Sequence, residues 1–323
     1  MAAAGGHYDC RSCGRTFPIL FGIPDFRLRS DRYLDLAAER RKAARLAEEA
    51  ARRSFRGLLD FYYEITDDVP AELASRYKAG VLSGPRHSEA VAVDVARSLA
   101  AKADALVLDA GCGAGGMLVA LAAQGLRVVG VDIALRWLVI CKKRLEELGV
   151  TAPLICADLT QAPFRPEAFD ALTAIDVVEH MTEVSAGLGA FRALVKPGAS
   201  VWITAANRCT LGPHPSTRIW AIGWLPAGLR SRILRRIRGV DSLRFSHLLS
   251  LRQLSMVAKS AGLVVADRKP RRIAAPDEHY PAFERALMRC YALLTRLGFV
   301  RHLLLLIGPS FELVLRRPRD AET

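Results

Sequence analysis

Residues 107–116 read VLDAGCGAGG, an acid followed by closely spaced glycines. Glycines at such a place let the backbone turn tightly, approach a ligand and open a helix. Two spacings coexist. Gly111, Gly113 and Gly116 satisfy G-x-G-x-x-G, whereas Asp109, Gly111, Gly113 and Gly115 give D-x-G-x-G-x-G. Both call for an acid ending the next strand, ~20 residues on, to accept from ribose hydroxyls, and Asp132 stands there. A pyrophosphate favours the bare positive end of a helix, so Asp109 beside one is electrostatically awkward. A cationic sulfonium with an amino-acid ammonium nearby would suit that acid instead. A further acid, Asp158 in the run CADL, can accept from an adenine amino group while its apolar neighbours face the ring.

The elements that must position these groups follow from the hydrophobic rhythm. Apolar runs at 105–109, 127–132, 153–157, 169–176 and 200–205 predict strands, with helices over 117–124 and 134–148 and from the fourth strand to residue 195. After an irregular stretch at 209–244, a helix over 249–261, a sixth strand over 262–269, a helical segment over 283–307 and an alternating run at 311–317 complete the chain. Strands separated by helices of this length imply βαβ units and a parallel sheet. Upstream, 31–55 is rich in Ala, Arg and Glu with few apolar anchors and reads as a solvated helix, and 71–102 reads as helical with breaks at Gly80 and Gly84-Pro85.

Together these stretches resemble the class I S-adenosylmethionine-dependent methyltransferases, in particular the ubiquinone/menaquinone-type group. The matching runs are VLDAGCGAGG, VVGVDIA, CADLTQAPF, FDALTAIDVVEHM, LVKPGASVWITAAN and the AGL before the sixth strand. The resemblance implies an α/β fold: a doubly wound, Rossmann-like, seven-stranded sheet whose last strand inserts antiparallel beside the fifth, with added helical insertions. It implies three parts, namely a partial zinc-ribbon-like segment at 1–28, a helical extension at 29–70 and the methyltransferase domain at 71–318, with insertions at 208–246 and 274–309. S-adenosylmethionine is the implied cofactor. Gly111, Cys112, Gly113 and Gly115 would line its methionine part with Asp109 near that end. Asp132 would hold the ribose with Ile133 against adenine, Asp158 and Leu159 would frame the base, and Asp176 would border the sulfonium. The chain departs from the family pattern at Ala205-Ala206-Asn207, where many relatives have Pro before Asn.

A hydroxyl acceptor must shed a proton, which His does best near neutral pH. His180 in VEHM is the candidate base, followed by His214 and His247. Cys112 and Cys156 read as small buried residues. Cys10 and Cys13 form half of a zinc knuckle; a structural zinc site needs four ligands, and His7 could supply one more.

Composition bounds the partners. The 323 residues carry a net charge of +13, yet the chain up to Asn207 holds 25 basic and 25 acidic residues, against 21 and 8 from Arg208 onward. A local excess suggests an anionic counterpart. The insertion PHPSTRIWAIGWLPAGLRSRILRRIRG sets Trp220, Trp224 and an apolar row against arginines, the pattern of a helix lying on an anionic membrane. The expected acceptor is therefore a small or lipid-linked molecule, and no separate module supports nucleic acid as the alternative. A third possibility, a non-catalytic cofactor-binding protein at a membrane surface, is disfavoured by the intact Asp109, Asp132 and Asp158. An odd number of cysteines and an opening MAAAGGHYD without a leader predict a cytoplasmic chain, peripheral at the inner membrane surface if it meets lipid.

Overall fold

The computed structural model describes residues 6–11, 13–30, 35–66, 71–215, 217–238, 248–274, 280 and 282–319. Its centre is a seven-stranded sheet in the order β6-β5-β4-β7-β8-β10-β9. The strands are β4 (Leu106–Ala110), β5 (Arg127–Asp132), β6 (Leu154–Cys156), β7 (Phe169–Ile175), β8 (Val195–Ala206), β9 (Val264–Pro270) and β10 (Ser310–Arg316). β4 to β8 run parallel, and β10 lies antiparallel between β8 and β9, so the expected sheet and its reversed last strand are present.

Both faces are covered, because successive residues of a strand point to opposite sides. Val107 joins one apolar cluster while Leu108 and Ala110 join the other. The first cluster is closed by α1 (Leu36–Ala50), α2 (Phe55–Glu64), α4 (Gly84–Ser98), α5 (Gly116–Ala122) and α6 (Leu135–Glu147). The second is closed by α7 (Val184–Leu194) and α9 (Leu251–Ser260). α3 (Ala71–Leu82) continues through Gly80, where the sequence suggested a break, and gives way to α4 at Gly84. The irregular stretch forms α8 (Ala227–Arg238), and the second insertion forms α10 (Ala282–Leu294) and α11 (Gly298–Ile307).

α1 is not the solvated helix its composition suggested. Glu39, Ala43 and Leu46, at i, i+4 and i+7, are buried against α6. Glu39 accepts from the Arg136 backbone N–H at 2.9 Å and from its guanidinium. The anchors were few but correctly spaced, and composition alone cannot show that the acid among them is paired.

The N-terminal segment folds as a three-stranded antiparallel sheet of β1 (His7–Asp9), β2 (Thr16–Leu20) and β3 (Ile23–Pro24). Cys10 and Cys13 sit on the β1–β2 loop without a disulfide, and His7 Nε2 lies 3.5 Å from Asp9 Oδ2. Among the described residues no group of three or more His, Cys, Asp or Glu could hold a metal, so no zinc centre is assigned to Cys10 and Cys13. The segment docks on the free edge of β6 through a bridge between Asp25 and Cys156, with the Phe26 N–H donating to Cys156 O at 2.8 Å. Asp25, fully buried, takes a forked contact from Arg27 (2.8 and 2.9 Å) and a second guanidinium from Arg40 (2.9 Å). Both cations hold its carboxyl below the usual value against the opposing cost of burial. Asp25→Ala leaves Arg27 buried without its counter-ion and is expected to cost about 3–5 kcal/mol of unfolding free energy in urea titration. An unchanged midpoint would show that the edge does not depend on this cluster.

Candidate active site

In an open α/β sheet, ligands sit at the carboxyl ends of the strands where the order reverses. The strand order places the ends of β6, β5, β4 and β7 side by side, and with them Asp158, Asp132, Asp109 and Asp176.

Asp109 lies inside β4, buried between β5 and β7. Its Oδ1 accepts from Thr173 Oγ1 at 2.8 Å, while Oδ2 has no partner among the described residues. Burial pushes its carboxyl up to about 7, opposed by the Thr173 hydrogen bond and assisted by the charge of Asp132. The loop that follows bends because Gly111 and Cys112 both donate to Val131 O, at 2.7 and 3.0 Å. Gly111 (φ +74°) and Gly115 (φ +79°) are left-handed and also cramped: a Cβ would come 2.4 Å from Val177 Cγ2 at the first and 2.6 Å from Cys141 Sγ at the second. Gly113 (φ +48°) differs, since a Cβ there would meet nothing within 4 Å. The loop is thus tight underneath and open at one position. Cys112 is buried in the space left by Gly130, and burial raises its thiol well above the usual value.

Asp132 ends β5. Its Oδ2 accepts from the Gly113 N–H and its Oδ1 from the Ala134 N–H, both at 2.8 Å, which ties the glycine loop to the second strand. Burial raises its carboxyl in spite of those two amides. The Ile133 carbonyl accepts from Arg27 Nη1 at 2.9 Å, so the N-terminal segment reaches the rim of the site. Asp158 caps a short 3-10 turn (Leu159–Gln161), with Oδ1 accepting from the Thr160 N–H and hydroxyl at 2.8 Å each. Leu159 is half-buried against the second core cluster.

Beyond β7 the chain turns through Asp176, left-handed at φ +56°. Its Oδ1 accepts from Arg271 Nη1 at 2.7 Å and from Thr204 Oγ1 at 3.2 Å. Glu179 is buried, with Oε1 accepting from the Ala206 N–H at 3.2 Å and Oε2 without a partner among the described residues. Burial, with Asp176 adding, pushes its carboxyl up to about 8. His180 follows, exposed, at the end of a 3-10 turn (Val178–His180). His214 is buried and held at about 4 by burial and by the charges of Arg230 and His180. His247 lies outside the described residues. Tyr291 on α10 is pushed up to about 12 by burial, with Arg271 opposing; its hydroxyl has no partner among the described residues.

Residue spacing missed several of these groups. Arg144, on the buried side of α6, donates to Ala114 O (2.8 Å) and Val81 O (2.5 Å), bracing the glycine loop against α3. Arg271 and Tyr291 lie ~95 and ~115 residues downstream of Asp176, too far apart for any local pattern to connect them. Glu179 stood in view inside VEHM, but only its burial sets it apart.

Residues 108–203 match the family described as "Methyltransferase domain". The ubiquinone biosynthesis O-methyltransferase of Idiomarina loihiensis is 29% identical over 155 residues, 46% of this chain and 63% of that protein. The same-named protein of Dechloromonas aromatica is 33% identical over 131 residues, 40% and 53% of the two lengths. The chain thus spans less than two thirds of either relative. Among solved structures, phosphoethanolamine N-methyltransferase 2 of Haemonchus contortus, in complex with S-adenosyl-L-methionine, is similar in fold: TM-score 0.50 at 18% identity, covering 83% of this chain and 60% of that one.

Proposed function

We propose, on the premise that residues 108–203 are a class I S-adenosylmethionine-dependent methyltransferase domain, that this chain methylates a hydroxyl group of a small or lipid-linked acceptor. The observation that carries the reading is the buried Asp109, one oxygen of which has no partner among the described residues, beside a left-handed glycine loop open at Gly113. That arrangement fits a ligand bringing positive charge to Asp109 and bulk to Gly113. Asp109, Gly111, Cys112, Gly113 and Gly115 would hold the methionine end. Asp132 would take the ribose hydroxyls, Ile133 and Leu159 would face adenine, Asp158 would accept from its amino group, and Asp176 would border the sulfur. When bound, S-adenosylmethionine supplies an electrophilic methyl group on a sulfonium centre.

The chain's own residues then position the acceptor and remove its proton. Holding the attacking oxygen in line is worth several kcal/mol, on the order of what positioning supplies in other transfers. His180, exposed at the end of the 3-10 turn after β7, takes the hydroxyl proton, and His214 is uncharged at neutral pH. Glu179 Oε2 and the Tyr291 hydroxyl are buried polar atoms without a partner among the described residues that an acceptor could engage. The relatives' names support oxygen as the methylated atom. Trp220 and Trp224 are exposed and α8 carries arginines beside exposed Leu229 and Ile237, which supports an acceptor presented at an anionic membrane. No helix among the described residues is long and apolar enough to cross one.

Mass spectrometry of candidate phenols with prenyl tails, incubated with methyl-labelled cofactor, tests the reading; label on carbon or nitrogen would refute the hydroxyl assignment. His180→Ala is expected to lower kcat at neutral pH, with cofactor affinity unchanged.

A pH effect follows from Asp109. Its folded value of about 7 lies above the usual carboxylate range, so its contribution to stability is complete at low pH and is lost as pH rises toward 7. A cation beside it favours the carboxylate, so cofactor binding near pH 6 should release part of a proton and tighten as pH rises to 8. Calorimetry in buffers of different ionisation heat reads the proton. Asp109→Asn should abolish its share of the release and stabilise the ligand-free protein at pH 8.

A further inference from the structure

A second hollow lies away from the glycine loop. It is a trough of about 550 Å³ at the opposite edge of the sheet, where α9, β9 and α11 meet. That volume falls within the roughly 300–1,000 Å³ typical of small-ligand sites. Its walls are apolar, with Met256, Val264 and Leu306, and three cations, Arg252, Lys259 and Arg268, stand around it. The described lining residues include no carboxylate. Arg252, Lys259 and Arg268 are exposed, and three cations around an apolar trough form a charge pattern that an anion would complete.

The neighbouring helix points the same way. α11, GFVRHLLLLI, packs on β9 and sends Leu305 toward the second core cluster. Its opposite side is apolar as well: Phe299, Leu303 and Leu306, at i, i+4 and i+7, are 83%, 44% and 60% exposed. A helix apolar on both faces has a second environment besides the core. Arg296, Arg301 and His302 are exposed beside that row, and the helix holds no acid. α11 also adjoins the acceptor side of the active site, because Asn207 Nδ2, just beyond β8, donates to Leu306 O (2.9 Å) and Gly308 O (3.1 Å).

We propose that this edge is a binding site for anionic phospholipid: the trough takes an acyl chain, Arg252, Lys259 and Arg268 take the phosphate, and the Phe299–Leu303–Leu306 row enters the bilayer surface. Basic residues at headgroup level and an apolar row just below it are the physical requirements for interfacial binding. The site is separate from the cofactor half of the sheet and does not depend on the methyl-transfer reading.

Flotation of the full chain with phosphatidylcholine vesicles, with and without phosphatidylglycerol, tests it. Binding is expected only to the anionic vesicles and should weaken steeply toward 1 M salt, where the Debye length falls to about 3 Å. The triple change Arg252→Ser, Lys259→Ser, Arg268→Ser should weaken binding on the order of a hundredfold, at about tenfold or less for each cation. Phe299→Ser, Leu303→Ser, Leu306→Ser should do so comparably while leaving thermal unfolding and calorimetric binding of S-adenosylhomocysteine unchanged. The proposal fails if the wild-type chain does not float with anionic vesicles, if it floats equally with neutral ones, or if neither triple variant weakens flotation. It also fails if the apolar triple instead dissolves a dimer, or if the basic triple abolishes a salt-sensitive RNA gel shift but not flotation. Loss of S-adenosylhomocysteine binding with flotation retained would overturn the methyl-transfer reading and leave this one standing.

Discussion

Asp132→Ala is expected to weaken binding of S-adenosylmethionine and of its demethylated product by a hundredfold or more. Hydrogen bonds to a charged acceptor contribute about 1.5–3 kcal/mol each, so losing two ribose hydroxyl contacts amounts to roughly two to four decades in Kd. The change reaches beyond the ligand, because the same carboxylate receives the Gly113 and Ala134 amides and so holds the glycine loop to β5. Asp132→Asn separates the two effects. It keeps one acceptor oxygen and removes a charge that burial opposes, but turns an NH2 group toward the Gly113 or the Ala134 N–H, so the ligand-free protein should lose less stability than with Asp132→Ala while the ligand is lost. Calorimetric titration beside urea unfolding reads both effects. Affinity within threefold of wild type for either variant would remove Asp132 from the cofactor site.

The second large effect is at the loop itself, where two glycines separate stability from binding. Gly111→Ala places a Cβ 2.4 Å from Val177 Cγ2 at a φ of +74°. The left-handed backbone costs roughly 1–2 kcal/mol and the overpacking roughly 1–3, so a loss of about 2–5 kcal/mol in unfolding free energy is expected. Adding Val177→Ala should recover the packing part only. Gly113→Ala carries a smaller backbone cost and meets no neighbour within 4 Å, so its fold should survive nearly intact. Its new methyl group points into the space assigned to the cofactor, and affinity should fall instead. If Gly113→Ala destabilised the chain as much as Gly111→Ala and left affinity untouched, the open side of the loop would not be the ligand's side.

Much of this arrangement is legible in the chain. The apolar runs and their spacing place the seven strands of the main sheet to within a few residues, and the glycine loop, Asp132 and Asp158 fall at strand ends as the pattern requires. Strand position is readable because burial on both faces demands a continuous apolar run, and loop position because glycine adopts the left-handed φ values found at 111, 113 and 115 at least cost. The misreadings have physical causes. α1 reads as a solvated helix because its buried face includes Glu39, an acid whose place depends on Arg136 nearly a hundred residues away. The N-terminal segment reaches the sheet through Asp25, Arg27 and Arg40, an ion cluster that has no signature in spacing and that the sequence reading did not single out.

What sequence alone determined is therefore the local part: which runs are strands, where the backbone must turn left-handed, and which acids end the strands, since each depends on a few neighbouring side chains. Tertiary structure alone decided which of these groups lose water and which gain distant partners. Asp109 and Glu179 are ordinary acids in the chain and become raised carboxyls, each with one unmatched oxygen among the described residues, only inside the fold. Arg271, just after β9, meets Asp176 from far downstream, and Tyr291 on α10 is buried with its hydroxyl unpartnered among the described residues. Desolvation and pairing across the fold depend on distances that sequence separation does not encode, and they govern the electrostatics on which the site's chemistry rests.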